Sequence, residues 1–188
     1  MDENKVAVLF ALKNSIYKTI PGCDVYDVKR NALTFPGRLP VVAHPPCRAW
    51  GRLRGLANII EEEKDLARWA LSQVRQWGGV LEHPECSTLW LEQSLPFGTQ
   101  RDEFGGFTLS VDQHWFGHRA RKRTWLYVCG CQPQEIPAYS MKFEPVEFWV
   151  KHFNKRKIQK PVITDKERSA TPPDFAKWLI ELAIKCQK

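Results

Sequence analysis

The succession of a strand, a helix and a second strand between residues 39 and 81 constrains the fold more than any other feature of the sequence. Leu39–Ala43 and Gly79–Leu81 are short apolar runs of the kind that form buried strands. Between them, Glu61–Trp77 begins with glutamates, where the helix dipole favours negative charge, and continues with apolar residues at helical spacing. These apolar residues are Leu66, Trp69, Ala70, Val74 and Trp77. Such a crossover joins parallel strands, so we expect a Rossmann-like, three-layer α/β fold with a mostly parallel sheet.

Other short segments complete the expected sheet and its second helical layer. Val6–Phe10, Asp24–Val28 and Thr124–Val128 are predicted strands. A C-terminal helix is predicted to open at Thr171-Pro172-Pro173, with Thr171 as its cap and proline in its first turn. Its buried stripe is expected to contain Phe175, Leu179, Leu182 and Cys186. The length of 188 residues is typical of one domain, so we expect a single domain over residues 1–188, with its site at the carboxyl ends of the strands.

Composition and charge narrow the class of protein. The six cysteines are irregularly spaced, which favours reduced thiols over a disulfide framework. The net charge of +7 at pH 7 favours an anionic partner such as nucleic acid, a nucleotide or an anionic cofactor. Residues 1–5 do not begin a secretion signal, and no stretch approaches the roughly 18 apolar residues of a membrane span. We therefore expect a cytoplasmic protein that does not enter a membrane.

The turn His44-Pro45-Pro46-Cys47 is the first candidate for chemistry. Cys47 follows two prolines at the end of a predicted strand, so a stiff backbone holds its thiol at the open edge of the sheet. Arg48 and Arg52 follow closely, and nearby cations favour the nucleophilic thiolate. A half-buried cysteine in an ordinary turn is the alternative interpretation.

Glu82 is the second candidate, because it ends the next predicted strand in Leu81-Glu82-His83-Pro84. A carboxyl group in this position can hold or protonate a ring nitrogen if burial raises its pKa. Adjacent parallel strands end at the same edge, so Cys47 and Glu82 are expected to lie close together. A thiol beside a proton-donating carboxyl suits attack on an electron-poor ring such as cytosine. The alternatives for Glu82 are a helix cap and a partner for an arginine.

These residues resemble the cytosine-5 DNA methyltransferase family. Pro45-Pro46-Cys47 is similar to the family's catalytic Pro-Pro-Cys loop, and Glu82-His83-Pro84 is similar to its Glu-Asn-Val strand end. The run from Arg119 to Arg123, which precedes a predicted strand, is similar to its Gln-x-Arg-x-Arg motif. Thr171-Pro172-Pro173 is similar to the last motif, which opens a C-terminal helix. The four motifs follow the family's order along the chain.

The resemblance implies a methyltransferase-like fold and methyl transfer to carbon 5 of cytosine, with S-adenosylmethionine as the donor. It implies that Cys47 adds to carbon 6 of the ring, that Glu82 contacts N3, and that Arg121 and Arg123 support the catalytic loop and the flipped base. The substrate is expected to be a flipped or single-stranded nucleotide, with DNA favoured. Further substrate contacts are expected from Pro46, Arg48, Arg52, Arg119 and His118. Contacts to the cofactor are expected from Asp27 and Pro173.

The chain also departs from the family. The family's glycine-rich cofactor loop is missing, since only Gly22 and Gly37 precede the Pro-Pro-Cys turn. Asp27 can hold a ribose hydroxyl or be an ordinary turn residue. The interval from Gly130 to Thr171 is too short for a large recognition region, and this small size suggests a phage or mobile-element origin. The basic run from Lys151 to Lys160 predicts phosphate contacts that are sensitive to salt and weakly specific, or else a solvated loop.

Three other interpretations remain open. His44-x-x-Cys47 and His83-x-x-Cys86 offer nitrogen and sulfur ligands for zinc, although we predict no metal. A methyltransferase-like protein can also have lost catalysis and only bind nucleic acid or another protein. Finally, the same thiol and carboxyl can modify pyrimidine carbon 5 with a different donor or on a free nucleotide. The remaining cysteines are predicted to be structural; they are Cys23, Cys129, Cys131 and Cys186.

Overall fold

The structure is a computed structural model that describes residues 5–52, 54–56, 62–98, 100–150 and 161–188. Within these residues, one sheet contains six strands in the order β2-β1-β3-β4-β6-β5. The strands are β1 Val6–Ala11, β2 Cys23–Asp27, β3 Val41–Ala43, β4 Gly79–Pro84, β5 Phe107–Asp112 and β6 Arg123–Cys129. The helices are α1 Glu62–Trp77, α2 Leu89–Glu92, α3 Asp165–Ser169 and α4 Pro173–Lys185. The α/β fold class expected from the sequence is confirmed.

The strand directions bring the ends of β3 and β4 together. The strands β1 to β4 pair in parallel, and β6 pairs antiparallel with both β4 and β5. Five strands therefore run in one direction and β6 runs in the other. Val42 pairs with Val80 and Ala43 pairs with Leu81. The next residue of each segment, His44 after β3 and Glu82 within β4, consequently lies at the same edge of the sheet.

Helices cover both faces of the sheet because the apolar strands alternate between two cores. Val6 and Val8 face one core, together with Phe175 and Leu179 of α4. Ala7 and Leu9 face the other core, together with apolar residues of α1. The three layers are therefore α1, the sheet and α4. The predicted stripe of α4 is confirmed, since all four of its residues are buried.

Several local predictions need correction. Strand β5 was not predicted, because its exposed middle interrupts the apolar run between Phe107 and Val111. Thr171 is not the cap of α4: the helix begins at Pro173, Pro172 is its N-cap, and no side chain makes a capping hydrogen bond. Helix α1 matches its predicted position where it is described. Its fully buried stripe includes Ala67 and Leu71 beside Ala70 and Val74, whereas Leu66, Trp69 and Trp77 are only partly buried.

Two glycines let β4 approach its neighbours closely. Gly78 and Gly79 both have positive φ, at 80° and 121°. A Cβ on Gly79 would lie 2.0 Å from the carbonyl oxygen of Val41, and one on Gly78 would lie 1.7 Å from that of Cys186. Only glycine fits these positions without movement of the backbone. None of the helices in the described residues is long and apolar enough to span a membrane.

Candidate active site

A hydrogen-bonded pair, His44 and Glu82, forms the centre of the site at the carboxyl ends of β3 and β4. His44 Nδ1 lies 3.1 Å from Glu82 Oε2. The other ring nitrogen, Nε2, lies 3.0 Å from the hydroxyl oxygen of Tyr17. Tyr17 is fully buried and belongs to the 3-10 turn Ile16–Thr19, which follows β1. Sequence reasoning had assigned no role to His44 outside a zinc site, and none to Tyr17.

Gln113 holds the second oxygen of Glu82. Its side-chain nitrogen donates to Glu82 Oε1 at 3.1 Å and to Thr124 Oγ1 at 3.0 Å. Gln113 opens the 3-10 turn Gln113–Phe116, whose cap Asp112 accepts a hydrogen bond from the backbone N–H of His114. The same Asp112 oxygen accepts the backbone N–H of Lys122 at 2.9 Å, which ties this turn to the start of β6. Both carboxylate oxygens of Glu82 therefore have a fixed donor.

Glu82 is a carboxylate in this environment. Burial raises the pKa of its carboxyl group, but the hydrogen bond with His44 and the charge of Lys122 act in the opposite direction and prevail. The resulting pKa is lowered from 4.5 to about 2. The condition under which Glu82 was expected to protonate a ring nitrogen, a pKa raised by burial, is therefore not met at rest, because His44 and Lys122 favour the carboxylate. The described contacts also exclude the arginine-partner alternative in favour of His44 and Gln113.

Cys47 is exposed and carries a protonated thiol. Its backbone oxygen accepts the N–H groups of Trp50 and Gly51, which closes a tight turn after the two prolines. Desolvation by the groups around the sulfur raises the pKa of the thiol, and the charge of Glu82 raises it further. The charges of Lys122 and Arg168 lower it only in part. The predicted shift towards the thiolate is therefore wrong.

The arginines expected to favour the Cys47 thiolate do not do so. Arg48 Nε lies 2.9 Å from Glu63 Oε2, so an acid at the start of α1 offsets its charge. Arg52 is exposed, and Pro46 is partly buried next to the buried Pro45. The cation that acts on the thiol most strongly is Lys122.

Lys122 completes the site and was overlooked as a functional residue in the sequence. Burial lowers the pKa of its ammonium group, and the charges of Glu82 and Cys47 raise it. Its Nζ lies 3.5 Å from the backbone oxygen of Ala170, close to the start of α4. The thiol of Cys47, the carboxylate of Glu82 and the ammonium group of Lys122 thus lie close enough to act on one another's pKa. The sequence feature that indicates this is the position of Lys122 two residues before Thr124. In an extended segment, residues two apart have their side chains on one face, here the face where Thr124 contacts Gln113.

The three arginines of the basic motif form ion pairs elsewhere. Arg123 NH2 lies 2.8 Å from Glu85 Oε1, and Arg121 NH1 lies 3.6 Å from Asp112 Oδ2. Because side chains alternate along a strand, Arg123 faces the side of β6 opposite to Thr124. Arg119 NH1 lies 2.5 Å from Glu167 Oε1, and its guanidinium lies 3.8 Å from the ring centre of Phe148. Their expected roles at the base and the loop stay predictions.

A cleft of about 210 Å³ brings together three residues for which contacts were predicted, namely His118, Arg119 and Pro173. His118 is buried, its Nδ1 lies 2.7 Å from the backbone oxygen of Ala120, and burial lowers its pKa. The cleft borders the first turn of α4 and the segment from Ala170 to Pro172.

The segment after β1 and Asp27, which was expected to hold the cofactor, do not form a glycine-rich loop that could bind it. Asp27 does end β2, but its Oδ2 lies 2.5 Å from Lys18 Nζ, and its Oδ1 accepts the backbone N–H groups of Lys29 and Arg30. The hydrogen bond with Lys18, followed by those backbone bonds, lowers the pKa of Asp27 to about 2. No glycine occurs between β1 and Gly22, and the buried ring of Tyr17 occupies this connection. These residues therefore do not form a glycine-rich binding site for S-adenosylmethionine.

The zinc alternative finds no support in the geometry. His44 contacts Glu82 and Tyr17 with its two ring nitrogens. His83 is fully buried, and its Nδ1 lies 2.9 Å from Ser87 Oγ. Among the residues that the structure describes, no group of three or more His, Cys, Asp or Glu side chains could hold a metal ion. The basic run from Lys151 to Lys160 lies outside the described residues.

Comparisons with known proteins give no match. No protein-family model matches the chain, and no curated protein or solved structure is detectably similar to it. A functional proposal must therefore be argued from the geometry of Cys47, Glu82 and Lys122.

Proposed function

We propose that this protein modifies carbon 5 of a pyrimidine base in nucleic acid through a covalent intermediate in which Cys47 is bonded to carbon 6. Methyl transfer to cytosine is the reaction that the motif resemblance favours. The observation that carries the proposal is the placement of an exposed thiol and a partly buried carboxylate at the ends of adjacent strands, with an ammonium group close enough to lower the pKa of both. Such a trio can attack a ring carbon, manage the ring proton and stabilise the charge that develops.

The resting protonation states suggest how the first step proceeds. The thiol of Cys47 is protonated and Glu82 is ionised, so the site already contains the one proton that the addition needs. The S–H bond breaks as Glu82 takes the proton, and sulfur bonds to carbon 6. The electron pair of the C5–C6 double bond shifts through C4 to N3, which receives the proton from Glu82. Lys122 favours this step because its charge lowers the pKa of the thiol.

The second step takes place at carbon 5, which the addition has made electron-rich. Carbon 5 attacks an electrophile and then loses its hydrogen to water as a proton, and the electron pair of that C–H bond re-forms the C5–C6 double bond as the carbon–sulfur bond breaks. N3 returns its proton through Glu82 to the departing sulfur, which restores the ring, the carboxylate and the free thiol. In the absence of an electrophile, carbon 5 takes a proton from water and exchanges its hydrogen with solvent. This exchange tests the role of Cys47 without any assumption about the donor, whose identity the described residues leave open.

Nucleic acid is the proposed substrate, with DNA favoured, because the chain has a net charge of +7. The side chains of Arg48, Arg119 and Arg123 are each more than half exposed, although each is paired with a glutamate that an anionic partner would have to displace. A base within a duplex cannot present carbon 6 to a thiol, so a single-stranded or flipped base is required.

The test is exchange of the C5 hydrogen of cytosine in single-stranded and duplex oligonucleotides dissolved in deuterium oxide, followed by mass spectrometry. Wild-type protein is compared with Cys47→Ser and with Cys86→Ser, which removes the other exposed cysteine. We expect exchange with wild type and Cys86→Ser and none with Cys47→Ser. Exchange that survives Cys47→Ser, or its absence in wild type, would overturn the proposal. In the latter case, fluorescence anisotropy with the same oligonucleotides tests the alternative of a binding protein.

A second experiment identifies the donor. An oligonucleotide with 5-fluorocytosine is incubated with the protein, with and without S-adenosylmethionine. Fluorine on carbon 5 cannot leave as a proton, so the adduct with Cys47 persists after group transfer. An adduct that requires S-adenosylmethionine supports methyl transfer, whereas C5 exchange without such an adduct points to another donor.

A further inference from the structure

Tyr17 lies in the segment that occupies the place of the resembled family's glycine-rich loop. This segment follows β1 and folds into the 3-10 turn Ile16–Thr19, which the Ser15 side chain caps. Tyr17 is the buried residue of the turn, and its hydroxyl oxygen reaches His44 Nε2 at 3.0 Å. The segment therefore contacts His44, the partner of Glu82, instead of forming an open loop beside the site.

The charge of Glu82 determines which atom donates in the hydrogen bond between His44 and Glu82. A carboxylate can only accept, so the hydrogen between the two groups must be on His44 Nδ1. In a neutral imidazole, Nε2 then carries a lone pair and accepts the hydroxyl proton of Tyr17. The opposite tautomer would place a lone pair against the carboxylate and lose that hydrogen bond, whereas the Tyr17 hydroxyl can either donate to Nε2 or accept from it. Glu82 thus selects the tautomer, and Tyr17 holds the ring from its other side.

We propose that Tyr17 and His44 are positioning residues: the Tyr17 hydroxyl holds the His44 ring in place, and His44 in turn fixes the Glu82 carboxylate opposite Gln113. This inference rests on the proposed function, because it assigns the segment after β1 to the orientation of the proton-carrying carboxylate. The arrangement gives each Glu82 oxygen one fixed donor. Each oxygen keeps a lone pair that can face the N3 and amine edge of a pyrimidine.

The experiment compares Tyr17→Phe with Tyr139→Phe, a control in the same core that packs against Trp115 and Trp178. Nitrogen-15 NMR of the histidine side chains reports the hydrogen bonds of the His44 ring nitrogens, and the C5 exchange assay reports their consequence for the reaction. We expect the resonances of both His44 ring nitrogens to be unchanged in Tyr139→Phe, and in Tyr17→Phe we expect both to shift, because the ring that has lost its contact at Nε2 also holds Glu82 less firmly at Nδ1. The exchange rate of Tyr17→Phe should fall about fivefold, as expected for the loss of one buried hydrogen bond.

Conservative replacement of His44 gives a second readout. The side-chain amide of His44→Asn can take the place of Nδ1–H, whereas His44→Leu has no donor. We expect His44→Asn to exchange faster than His44→Leu, although both lack the contact with Tyr17. A merely structural role would instead make the two variants equal.

The outcomes separate this inference from the proposed function. If wild type exchanges hydrogen but Tyr17→Phe changes neither the Nδ1 resonance of His44 nor the rate, the inference is wrong and the proposed function stands. If wild type shows no exchange, the proposed function fails. The NMR comparison then still decides whether Tyr17 holds the His44 ring against Glu82.

Discussion

The side-chain nitrogen of Gln113 lies 3.1 Å from Glu82 Oε1. Gln113 is almost fully buried and also donates to Thr124, so it links the turn before β6 to the carboxylate in β4. His44 approaches the other oxygen from β3. A charge with donors on both sides is held in one orientation, and the proposed transfer of a proton from Glu82 to a ring nitrogen would need such an orientation.

Cys47 should respond with opposite signs to its two charged neighbours. Glu82 raises the pKa of the thiol and Lys122 lowers it, so Glu82→Gln should increase the thiolate fraction and Lys122→Gln should decrease it. Alkylation by iodoacetamide below the thiol pKa should therefore be several-fold faster in Glu82→Gln and several-fold slower in Lys122→Gln. Mass spectrometry of the Cys47 peptide measures the rate, and the peptide with exposed Cys86 serves as internal reference. Changes of the same sign would contradict the geometry of the site.

The stability of the fold at acid pH should depend on Glu82. Its pKa is lowered from 4.5 to about 2, so its contribution to the free energy of unfolding is complete above pH 4.5 and is lost as the pH falls towards 2. A shift of this size corresponds to a loss of about 3 kcal/mol at most. Urea denaturation of wild type and Glu82→Gln between pH 7 and 2.5 measures the difference. The exposed Glu103→Gln is the control. A wild-type advantage that does not shrink below pH 4.5 would refute the prediction.

Most of the sheet could be predicted from the sequence because its strands are buried on both faces. Segments such as Val6–Ala11 and Gly79–Pro84 are apolar without interruption at their starts, and glycine or proline delimits many of them. Strand β5, in contrast, is half exposed at the edge of the sheet, so its apolar pattern is too short to stand out. The proximity of Cys47 and Glu82 followed from strand order alone.

The environment of the site could not be predicted, because it depends on contacts between distant parts of the chain. His44 is 38 residues from Glu82 and 27 from Tyr17. No local pattern indicates such pairs, and they reverse the pKa shift that burial alone would give to Glu82. The charge on Cys47 was misjudged for the same reason, since Arg48 is nearest in sequence whereas Lys122 acts on the thiol in the fold.

Gly79 should tolerate no side chain. It has φ of 121°, and a Cβ there would lie 2.0 Å from the carbonyl oxygen of Val41 in the neighbouring strand. Gly79→Ala should therefore lower the free energy of unfolding by about 3 kcal/mol or more, because backbone would have to move at the centre of the sheet. Gly55→Ala is the matched control, since none of the residues that the structure describes lies within 4 Å of its added Cβ. Equal thermal melting temperatures for the two variants would exclude this packing.

His83 should make the fold sensitive to a higher pH range than Glu82 does. It is fully buried, and desolvation lowers the pKa of its imidazole from 6.5 to about 4, so the folded protein keeps it neutral where the unfolded chain is protonated. Between pH 6.5 and 4 the unfolded state binds one more proton than the folded state. As the pH is lowered through this range, the free energy of unfolding should therefore decrease by about 3 kcal/mol at most. His83→Gln cannot titrate and should lose this part of the pH dependence while keeping the part below pH 4.5 that Glu82 supplies. Urea denaturation at pH 7, 5.5 and 4 measures the change. An unchanged slope between pH 6.5 and 4.5 in His83→Gln would show that another group is responsible.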